Sequence, residues 1–269
     1  MPSLVRIALW IAGIYLAICL ATFLFQRRLQ YFPDTEVVPV PTGARWRGLE
    51  PVTLRTQDGV RIEAFFWPGT RDTAVLLLHG NAGHRGHRLG WMADLRARGW
   101  PVFLLDYRGY GGSDGSPSEE GLVLDAEAAV DWLATRGHER VVYLGSSLGC
   151  GVATRLAVRR PAAGLVLQSG AASLAAVGQQ AYPFLPVGLL MKDRFDVAAD
   201  AARVRCPSLS IHGDRDRDIR LEHGRALHAA LGGEKTWWVV EGAGHNDVVD
   251  RAGHAWFDRV HAFLEGLPR

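Results

Sequence analysis

The amino-acid sequence predicts an α/β domain in which a mostly parallel sheet is flanked by helices. From residue 74 onward, short apolar runs alternate with segments of helical spacing, the pattern of repeated β-α-β units. Most of these runs are apolar along their length, as expected for strands buried on both faces. With 269 residues, 48% of them hydrophobic and 22% charged, the chain can bury one large core.

A hairpin is predicted ahead of the alternating part. Residues 52–55 and 61–67 flank Asp58-Gly59, a typical hairpin turn because both residues tolerate positive φ. The later strands are predicted at residues 74–78, 102–105, 141–144, 164–167, 208–211 and 236–240.

The helices between these strands show apolar residues at helical spacing. One start carries several signals: Ser116 is the predicted N-cap, Pro117 lies in the first turn and Glu119 occupies the capping-box position. The predicted helices cover residues 89–98, 122–135, 148–159, 221–231 and 255–264.

The N-terminal stretch, residues 7–25, is apolar and carries no charge. As a helix it would be about 28 Å long, close to the roughly 30 Å hydrocarbon core of a bilayer. We therefore predict a membrane anchor over residues 1–28, a linker over residues 29–48 and the folded domain over residues 49–269. A cleaved signal peptide is the alternative, with Cys19-Leu20-Ala21 as its small-residue cleavage site.

The orientation of this anchor is not decided by charge. Arg6 and the terminal amine precede the apolar run, while Arg27 and Arg28 follow it. By analogy with signal anchors, we place the domain outside the cytoplasm. The net charge of +2, with no block of like charges, argues against a nucleic-acid partner.

A candidate nucleophile follows the predicted strand 141–144. Residues 145–149 read G-S-S-L-G and match the pattern G-x-S-x-G, with Ser147 at the central position. A strand before the motif and a helix after it are the context of a nucleophile elbow, in which glycines let strand and helix backbones pass closely. Ser146 is the alternative nucleophile, but it occupies a variable position of the motif and not its central serine position.

A serine hydroxyl needs a base to take its proton and an acid to orient that base. His245 lies on a glycine-rich loop after the last predicted strand, where the chain order Ser, Asp, His requires the base. Three aspartates follow the strand at 208–211. We select Asp216 as the acid, and Asp214 and Asp218 remain alternatives.

Two backbone N–H groups are predicted to bind the oxyanion of a tetrahedral intermediate. One belongs to Leu148, directly after the nucleophile. The other is assigned to Asn81, in the loop after the first parallel strand, where Gly80 allows the backbone to turn.

Several sequence runs together resemble the Bem46/ABHD13-like group of α/β hydrolases. They are residues 30–33 (QYFP), 76–83 (LLLHGNAG), 106–113 (DYRGYGGS), 116–121 (SPSEEG), 145–149 (GSSLG), 211–213 (IHG) with Asp216, and 244–245 (GH). The resemblance extends over most of residues 26–250. It implies an α/β-hydrolase fold, an N-terminal membrane anchor and a Ser-His-Asp triad whose acid is Asp216. For Asp106, Tyr107 and Arg108 we predict a structural role in holding loops together.

Residues 171–205 form an insertion between two predicted strands, interpreted as a small helical lid. Its residues Tyr182, Phe184, Leu185 and Met191 are predicted to line an acyl pocket, although the segment could equally pack on the domain or rest on a bilayer. An apolar lid beside a membrane anchor favours lipid-like substrates.

The predicted function is hydrolysis of a carboxylic ester or thioester by a serine hydrolase, through an acyl-enzyme. A peptidase or amidase of the same fold is the alternative enzyme, and a silent membrane-anchored interaction protein is the alternative outside catalysis. No cofactor and no metal is expected. The predicted partners are a small acyl substrate and the membrane.

Overall fold

The computed structural model describes residues 2–268, so Met1 of the predicted anchor and Arg269 of the predicted domain lie outside the described residues. The strands are β1 Phe32–Pro33, β2 Glu50–Arg55, β3 Arg61–Trp67, β4 Ala74–Leu78, β5 Ala82–Gly83, β6 Val102–Leu105, β7 Val141–Ser146, β8 Gly164–Gln168, β9 Ser208–Gly213 and β10 Lys235–Val240. The helices are α1 Pro2–Gln30, α2 Leu89–Ala97, α3 Glu119–Thr135, α4 Leu148–Arg159, α5 Leu174–Ala181, α6 Val187–Leu190, α7 Ala198–Ala201, α8 Leu221–Ala230, α9 Val248–Ala252 and α10 His254–Glu265.

The main sheet has eight strands in the order β10-β9-β8-β7-β4-β6-β3-β2. The strands from β10 to β6 run parallel, and the β2–β3 hairpin closes one edge in antiparallel pairing. The predicted α/β-hydrolase fold is therefore confirmed. Parallel order brings the carboxyl ends of β4, β7, β8, β9 and β10 to one edge of the sheet, where ligands bind in such folds.

Two apolar layers hold the helices against the sheet. One face packs against α3, α4 and α8, with Leu122, Val152 and Leu227 in its core. The opposite face packs against α2 and α10, where Met92 and Trp256 are fully buried. Burial on both faces explains why β4, β6, β7 and β8 are largely apolar runs and not alternating ones.

The predicted start of α3 is corrected by the structure. Ser118, not Ser116, is the N-cap: its Oγ accepts a hydrogen bond of 3.1 Å from Gly121 N. Glu119 does not complete a capping box, because its carboxylate pairs with Arg155 at 2.7 Å. Tertiary contacts on the preceding loop, which packs Pro117 against Gly109, move the helix start by two residues.

The first helix and the chain after it span the predicted boundary between anchor and linker. Helix α1 continues to Gln30, beyond the predicted residue 28. The following chain is not a free linker, since β1 pairs in parallel with β5, and Tyr31 and Val38 are buried against the domain.

Candidate active site

Ser147 lies in a strained turn between β7 and α4. Its φ of 55° and ψ of −120° fall in a sparsely populated region, which costs a non-glycine residue about 1–3 kcal/mol. The two motif glycines make the turn possible. A Cβ on Gly149 would lie 2.1 Å from Leu78 O, and a Cβ on Gly145 would lie 2.5 Å from Gly149 O. Larger residues at either position would push strand and helix apart.

His245 reaches Ser147 from the loop after β10. Its Nε2 lies 2.9 Å from Ser147 Oγ, and its Nδ1 lies 2.7 Å from Asp216 Oδ2. A neutral ring with its proton on Nδ1 satisfies both contacts, donating to the carboxylate and accepting from the hydroxyl. The ring is therefore oriented to take a proton from the serine.

Asp216 is held by the turn after β9, and its side chain is fully buried. Its Oδ1 accepts hydrogen bonds from Asp218 N at 3.0 Å and Ile219 N at 2.8 Å. Burial opposes the charge, but hydrogen bonds from His212, His245 and the backbone outweigh it and hold the pKa of Asp216 well below its ordinary value. The carboxylate thus stays ionised next to the imidazole.

The alternative residues lie elsewhere. Asp214 accepts a hydrogen bond of 2.6 Å from Gly242 N, and Asp218 borders the cleft without contacting His245. Ser146 is buried at the end of β7, and the histidine contact goes to Ser147 instead. Of the catalytic candidates proposed from the sequence, the structure brings together Ser147, His245 and Asp216.

The loop after β4 lies directly against the nucleophile. A Cβ on Gly80 would lie 3.4 Å from Ser147 Cβ, so the backbone of this loop is within van der Waals reach of the nucleophile. Asn81 is held by the end of the first helix: its Nδ2 donates to Gln30 O at 3.1 Å, and its carbonyl accepts from Phe32 N at 2.8 Å. Tyr110 Oη donates to the same carbonyl at 2.8 Å.

His79, which precedes this loop, is buried between Tyr107 and Tyr110. Its Nδ1 lies 2.8 Å from Gly80 O. Burial lowers the pKa of His79 to about 3, although the hydrogen bond to Gly80 opposes this shift. The ring is therefore neutral at physiological pH and supports the loop without adding charge.

The cleft above Ser147 has a volume of about 510 Å³. The four residues predicted to form an acyl pocket line a separate, adjoining groove of about 590 Å³: Tyr182, Phe184, Leu185 and Met191. We call this the apolar groove. It lies between the C-terminal half of α1 and the inserted helices α5 and α6, and it is lined by Thr22, Gln26, Leu29, Gln30, Phe32, Asn81, Leu174, Val177, Gly178, Ala181, Tyr182, Phe184, Leu185, Val187, Leu190 and Met191.

The predicted structural cluster near the site is buried. Asp106 pairs with Arg85, and Arg108 pairs with Asp125 at 2.8 Å and with Asp58 at 2.7 Å. These contacts hold the loop after β6 against α3 and against the turn of the β2–β3 hairpin.

Sequence reasoning missed two contributors. Gln30 borders both the cleft and the groove, and His212 lies 3.3 Å from Asp216 Oδ2. The position of His212 at the end of an apolar strand was a usable signal. Nothing local marks Gln30, which reaches the site only through the packing of α1.

Asp34, His84 and His87 bring three potential metal-ligand atoms within 4.8 Å of one another. However, His84 Nδ1 accepts a hydrogen bond of 3.1 Å from Gly86 N, which leaves the proton of a neutral ring on Nε2, facing Asp34 at 3.5 Å. A metal-binding histidine instead donates from its second nitrogen. The arrangement fits a capped turn better than a metal centre.

Helix α1 is the one helix among residues 2–268 that is long and apolar enough to cross a membrane, with a mean hydropathy of 2.4 over its most apolar window. A signal sequence would show the same length and composition.

Comparison with known proteins agrees with this architecture. A family model described as Hydrolase_4, serine aminopeptidase S33, matches residues 69–193. The Mycobacterium tuberculosis protein MT2364 is 39% identical over 98% of this chain and 94% of its own length. The Arabidopsis thaliana α/β-hydrolase domain-containing protein WAV2 is 29% identical over 95% of this chain and 91% of its own.

Among solved structures, the Pyrococcus furiosus esterase Pf2001 superposes with a TM-score of 0.76 at 22% identity, covering 88% of this chain and 97% of that protein. This likeness shows that the two proteins share a fold. The chain therefore belongs to the α/β-hydrolase superfamily, in one family with its mycobacterial relative.

Proposed function

We propose that this protein is a serine hydrolase that cleaves a carboxylic ester or thioester through an acyl-enzyme. The observation that carries the proposal is the continuous chain of hydrogen bonds from Ser147 Oγ through the His245 ring to Asp216. It lies at the edge of the sheet, open to a cleft of about 510 Å³. Such a chain activates a hydroxyl that is otherwise a poor nucleophile.

The reaction follows from the geometry. Ser147 Oγ attacks the substrate carbonyl while His245 Nε2 takes the hydroxyl proton, and Asp216 stabilises the imidazolium that forms. His245 then passes the proton to the leaving alcohol or thiol, and the serine remains acylated. A water molecule, deprotonated by the same nitrogen, attacks the acyl-enzyme, releases the acid and restores the serine.

Two backbone N–H groups are proposed for the oxyanion. Leu148 is the first residue of α4, so its N–H has no acceptor within the helix. Asn81 is proposed as the second donor, since Gly80 brings its loop against Ser147. A donor of this kind typically contributes about 3–4 kcal/mol to transition-state stabilisation.

An acyl substrate is favoured by the apolar groove that adjoins the cleft. Its walls are mainly aliphatic and aromatic, which suits a hydrocarbon chain and not a polar leaving group. The esterase activity named for the Pyrococcus furiosus protein is compatible with this proposal.

An amide substrate is the second candidate, because the matching family model is described as a serine aminopeptidase. Such an enzyme must bind a free amino group, and the Asp218 and Asp250 carboxylates border the cleft. Leucine p-nitroanilide tests this candidate: turnover faster than that of p-nitrophenyl butyrate would favour a peptidase.

We further propose that residues 1–28 are retained as an anchor, that the domain lies outside the cytoplasm, and that the chain is a member of the Bem46/ABHD13-like group. Retention is supported by Tyr15 in the apolar part of α1, whose Oη donates a hydrogen bond of 3.0 Å to Phe184 O in the insertion. Cleavage after Ala21 would remove this contact. Carbonate extraction of membranes should leave the full chain in the pellet.

The proposed nucleophile is tested with a fluorophosphonate probe, which labels activated serines. Wild type and a Ser146→Ala variant should be labelled, and Ser147→Ala should be neither labelled nor active on p-nitrophenyl esters. If folded wild type resists the probe, the silent interaction protein becomes the better interpretation. A series of p-nitrophenyl esters and acyl-CoA thioesters then defines chain length and bond type.

A further inference from the structure

We infer that the apolar groove is a passage through which the long acyl chain of a membrane lipid reaches Ser147 directly from the bilayer. This inference rests on the proposed serine hydrolase function and on a retained α1, and it adds the source of the substrate and its route. In this arrangement the anchor helix is one wall of the substrate site as well as a tether.

The groove and the cleft share part of their walls. Four residues border both: Gln30, Asn81, Leu174 and Val177. The groove volume of about 590 Å³ is within the range of about 300–1,000 Å³ that is usual for small-molecule sites. An acyl chain attached to a carbonyl at Ser147 would pass these four side chains, two of them polar and two apolar, to enter the groove.

Specific polar contacts fix the two walls of the groove to each other. Gln26 is buried, its Nε2 donates to Leu190 O at 3.0 Å, and its Oε1 accepts from Lys192 N at 2.5 Å. Arg27 pairs with Asp193 at 2.7 Å just beyond. These contacts set the width of the groove at the end nearer the domain.

The insertion follows α1 far into its apolar part. Tyr15 Oη donates a hydrogen bond of 3.0 Å to Phe184 O. Tyr15 precedes Gln26 by eleven residues of a continuous helix, which is about 16 Å along the axis. With the uncharged residues 7–25 in the hydrocarbon core, Phe184 lies near the middle of the bilayer.

Much of the backbone of residues 182–190, which we call the tip, is hydrogen-bonded within the protein. The amides and carbonyls of Tyr182, Leu185 and Val187 are engaged within the tip: Tyr182 O accepts from Leu185 N at 3.0 Å, and Leu185 O accepts from Val187 N at 2.9 Å. Gln179 adds a donor to Leu185 O at 2.9 Å and an acceptor for Val187 N at 3.1 Å.

Two prolines reduce the number of amides that need an acceptor, because Pro183 and Pro186 have no N–H. Pro186 O accepts from Leu189 N at 2.9 Å. Irregular backbone is tolerated at membrane depth only when its polar groups are satisfied within the protein. An aqueous loop has no such requirement, since water satisfies its amides.

Several side chains of the tip point outward, away from the protein. Tyr182, Phe184 and Leu189 are 55%, 65% and 85% exposed. They continue the exposed apolar surface of α1, so hydrocarbon is the medium that covers both. A lipid acyl chain is therefore the occupant that the groove can take up without first crossing water.

The test uses the full chain in phosphatidylcholine vesicles. Two substrates are compared: p-nitrophenyl butyrate in solution, and 4-methylumbelliferyl oleate dissolved in the vesicles. Ala181 lines the groove and not the cleft, so Ala181→Trp should obstruct the chain and lower the ratio of oleate to butyrate turnover at least tenfold. Ala199→Trp, an exposed position on α7 of the same insertion, should keep the wild-type ratio.

A second variant tests membrane immersion without touching the groove lining. Leu189→Asp is harmless if the tip lies in water, whereas a carboxylate at the centre of a bilayer is strongly disfavoured. We expect Leu189→Asp to lose at least tenfold in oleate turnover and to retain its butyrate turnover. Ala199→Asp is its matched control.

The outcomes separate the two proposals. If wild type hydrolyses both esters but Ala181→Trp and Leu189→Asp keep the wild-type ratio, the passage is refuted and the hydrolase remains. If wild type hydrolyses neither ester, both proposals are refuted. A selective loss of oleate turnover in both variants, with normal controls, supports the passage.

Discussion

The sheet edge and the apolar groove are two adjoining parts of one site, and they are built in different ways. At the sheet edge, backbone crowding holds Ser147: Gly149 packs against Leu78 O and Gly80 against the serine itself. In the groove, side-chain clamps such as Gln26 to Leu190 join segments that are 164 positions apart in the chain.

This difference separates the roles of the two parts. A turn set by backbone contacts positions the reacting atoms, and it tolerates little change. A wall set by a few side-chain contacts can vary in width and lining while the reacting atoms stay in place. We therefore expect variants at the sheet edge to change turnover or stability, and variants in the groove to change which acyl chain is used.

The largest expected effect is at the acid. Asp216→Asn should lower kcat by about 10⁴-fold, because the amide favours the wrong tautomer of His245, as in a serine protease triad. Hydrolysis of p-nitrophenyl butyrate measures the loss. Asp214→Asn, whose side-chain oxygen can still accept from Gly242 N, should keep near wild-type kcat. If Asp214→Asn lost activity and Asp216→Asn kept it, Asp214 would be the acid of the triad.

The next prediction tests the close packing of the backbone around the Ser147 turn. Gly149→Ala would place a methyl group 2.1 Å from Leu78 O. The backbones must separate, which should cost about 3 kcal/mol of unfolding free energy and displace Ser147. Urea unfolding in detergent measures the change. Gly90→Ala in α2 meets nothing within 4 Å and should alter stability by less than about 1 kcal/mol. Equal stabilities for the two variants would show that the turn is not crowded.

A pH effect of intermediate size is expected from His79. Its pKa is lowered to about 3 in the folded protein, against about 6.5 in the unfolded chain. Between these two pKa values the unfolded chain binds a proton on His79 and the folded protein does not. The free energy of unfolding is therefore unaffected by His79 above pH 6.5 and falls as the pH decreases toward 3. Between pH 7 and pH 5 this linkage removes about 2 kcal/mol of stability.

The substitution His79→Gln should reduce that pH-dependent loss by about the same amount, whatever its effect at pH 7. Urea unfolding of both proteins at pH 7 and pH 5 provides the four values needed. Parallel losses in wild type and variant would contradict a buried neutral His79.

The smallest effect is expected at Asn81, which lines both the cleft and the apolar groove. Asn81→Ala removes the hydrogen bond from Nδ2 to Gln30 O but keeps the backbone N–H. One hydrogen bond of about 1 kcal/mol corresponds to a kcat about fivefold lower, with KM little changed. Gln179→Ala, which loosens the tip of the insertion instead, should leave kcat for p-nitrophenyl butyrate unchanged. A loss confined to KM would argue against a role of Asn81 in positioning.

Much of the sheet could be predicted from local patterns. The strands 74–78 and 102–105 match the structure to the residue, because apolar runs bounded by turn signals depend on neighbouring residues alone. The start of α3 was wrong by two residues, since both Ser116 and Ser118 are suitable caps and only the packing of Pro117 against Gly109 selects between them.

The sequence by itself determined the α/β layering, the elbow around Ser147 and the chain order of the serine, aspartate and histidine. These features depend on periodicity or on glycines within two residues of the nucleophile, so they leave a signal in a short window. The tertiary structure decided that His245 contacts Ser147 and that Asp216 is the aspartate beside it. It also decided that α1 and the insertion enclose a groove leading to that serine. Such contacts join residues far apart in the chain, and no local pattern records which distant partner a side chain will meet.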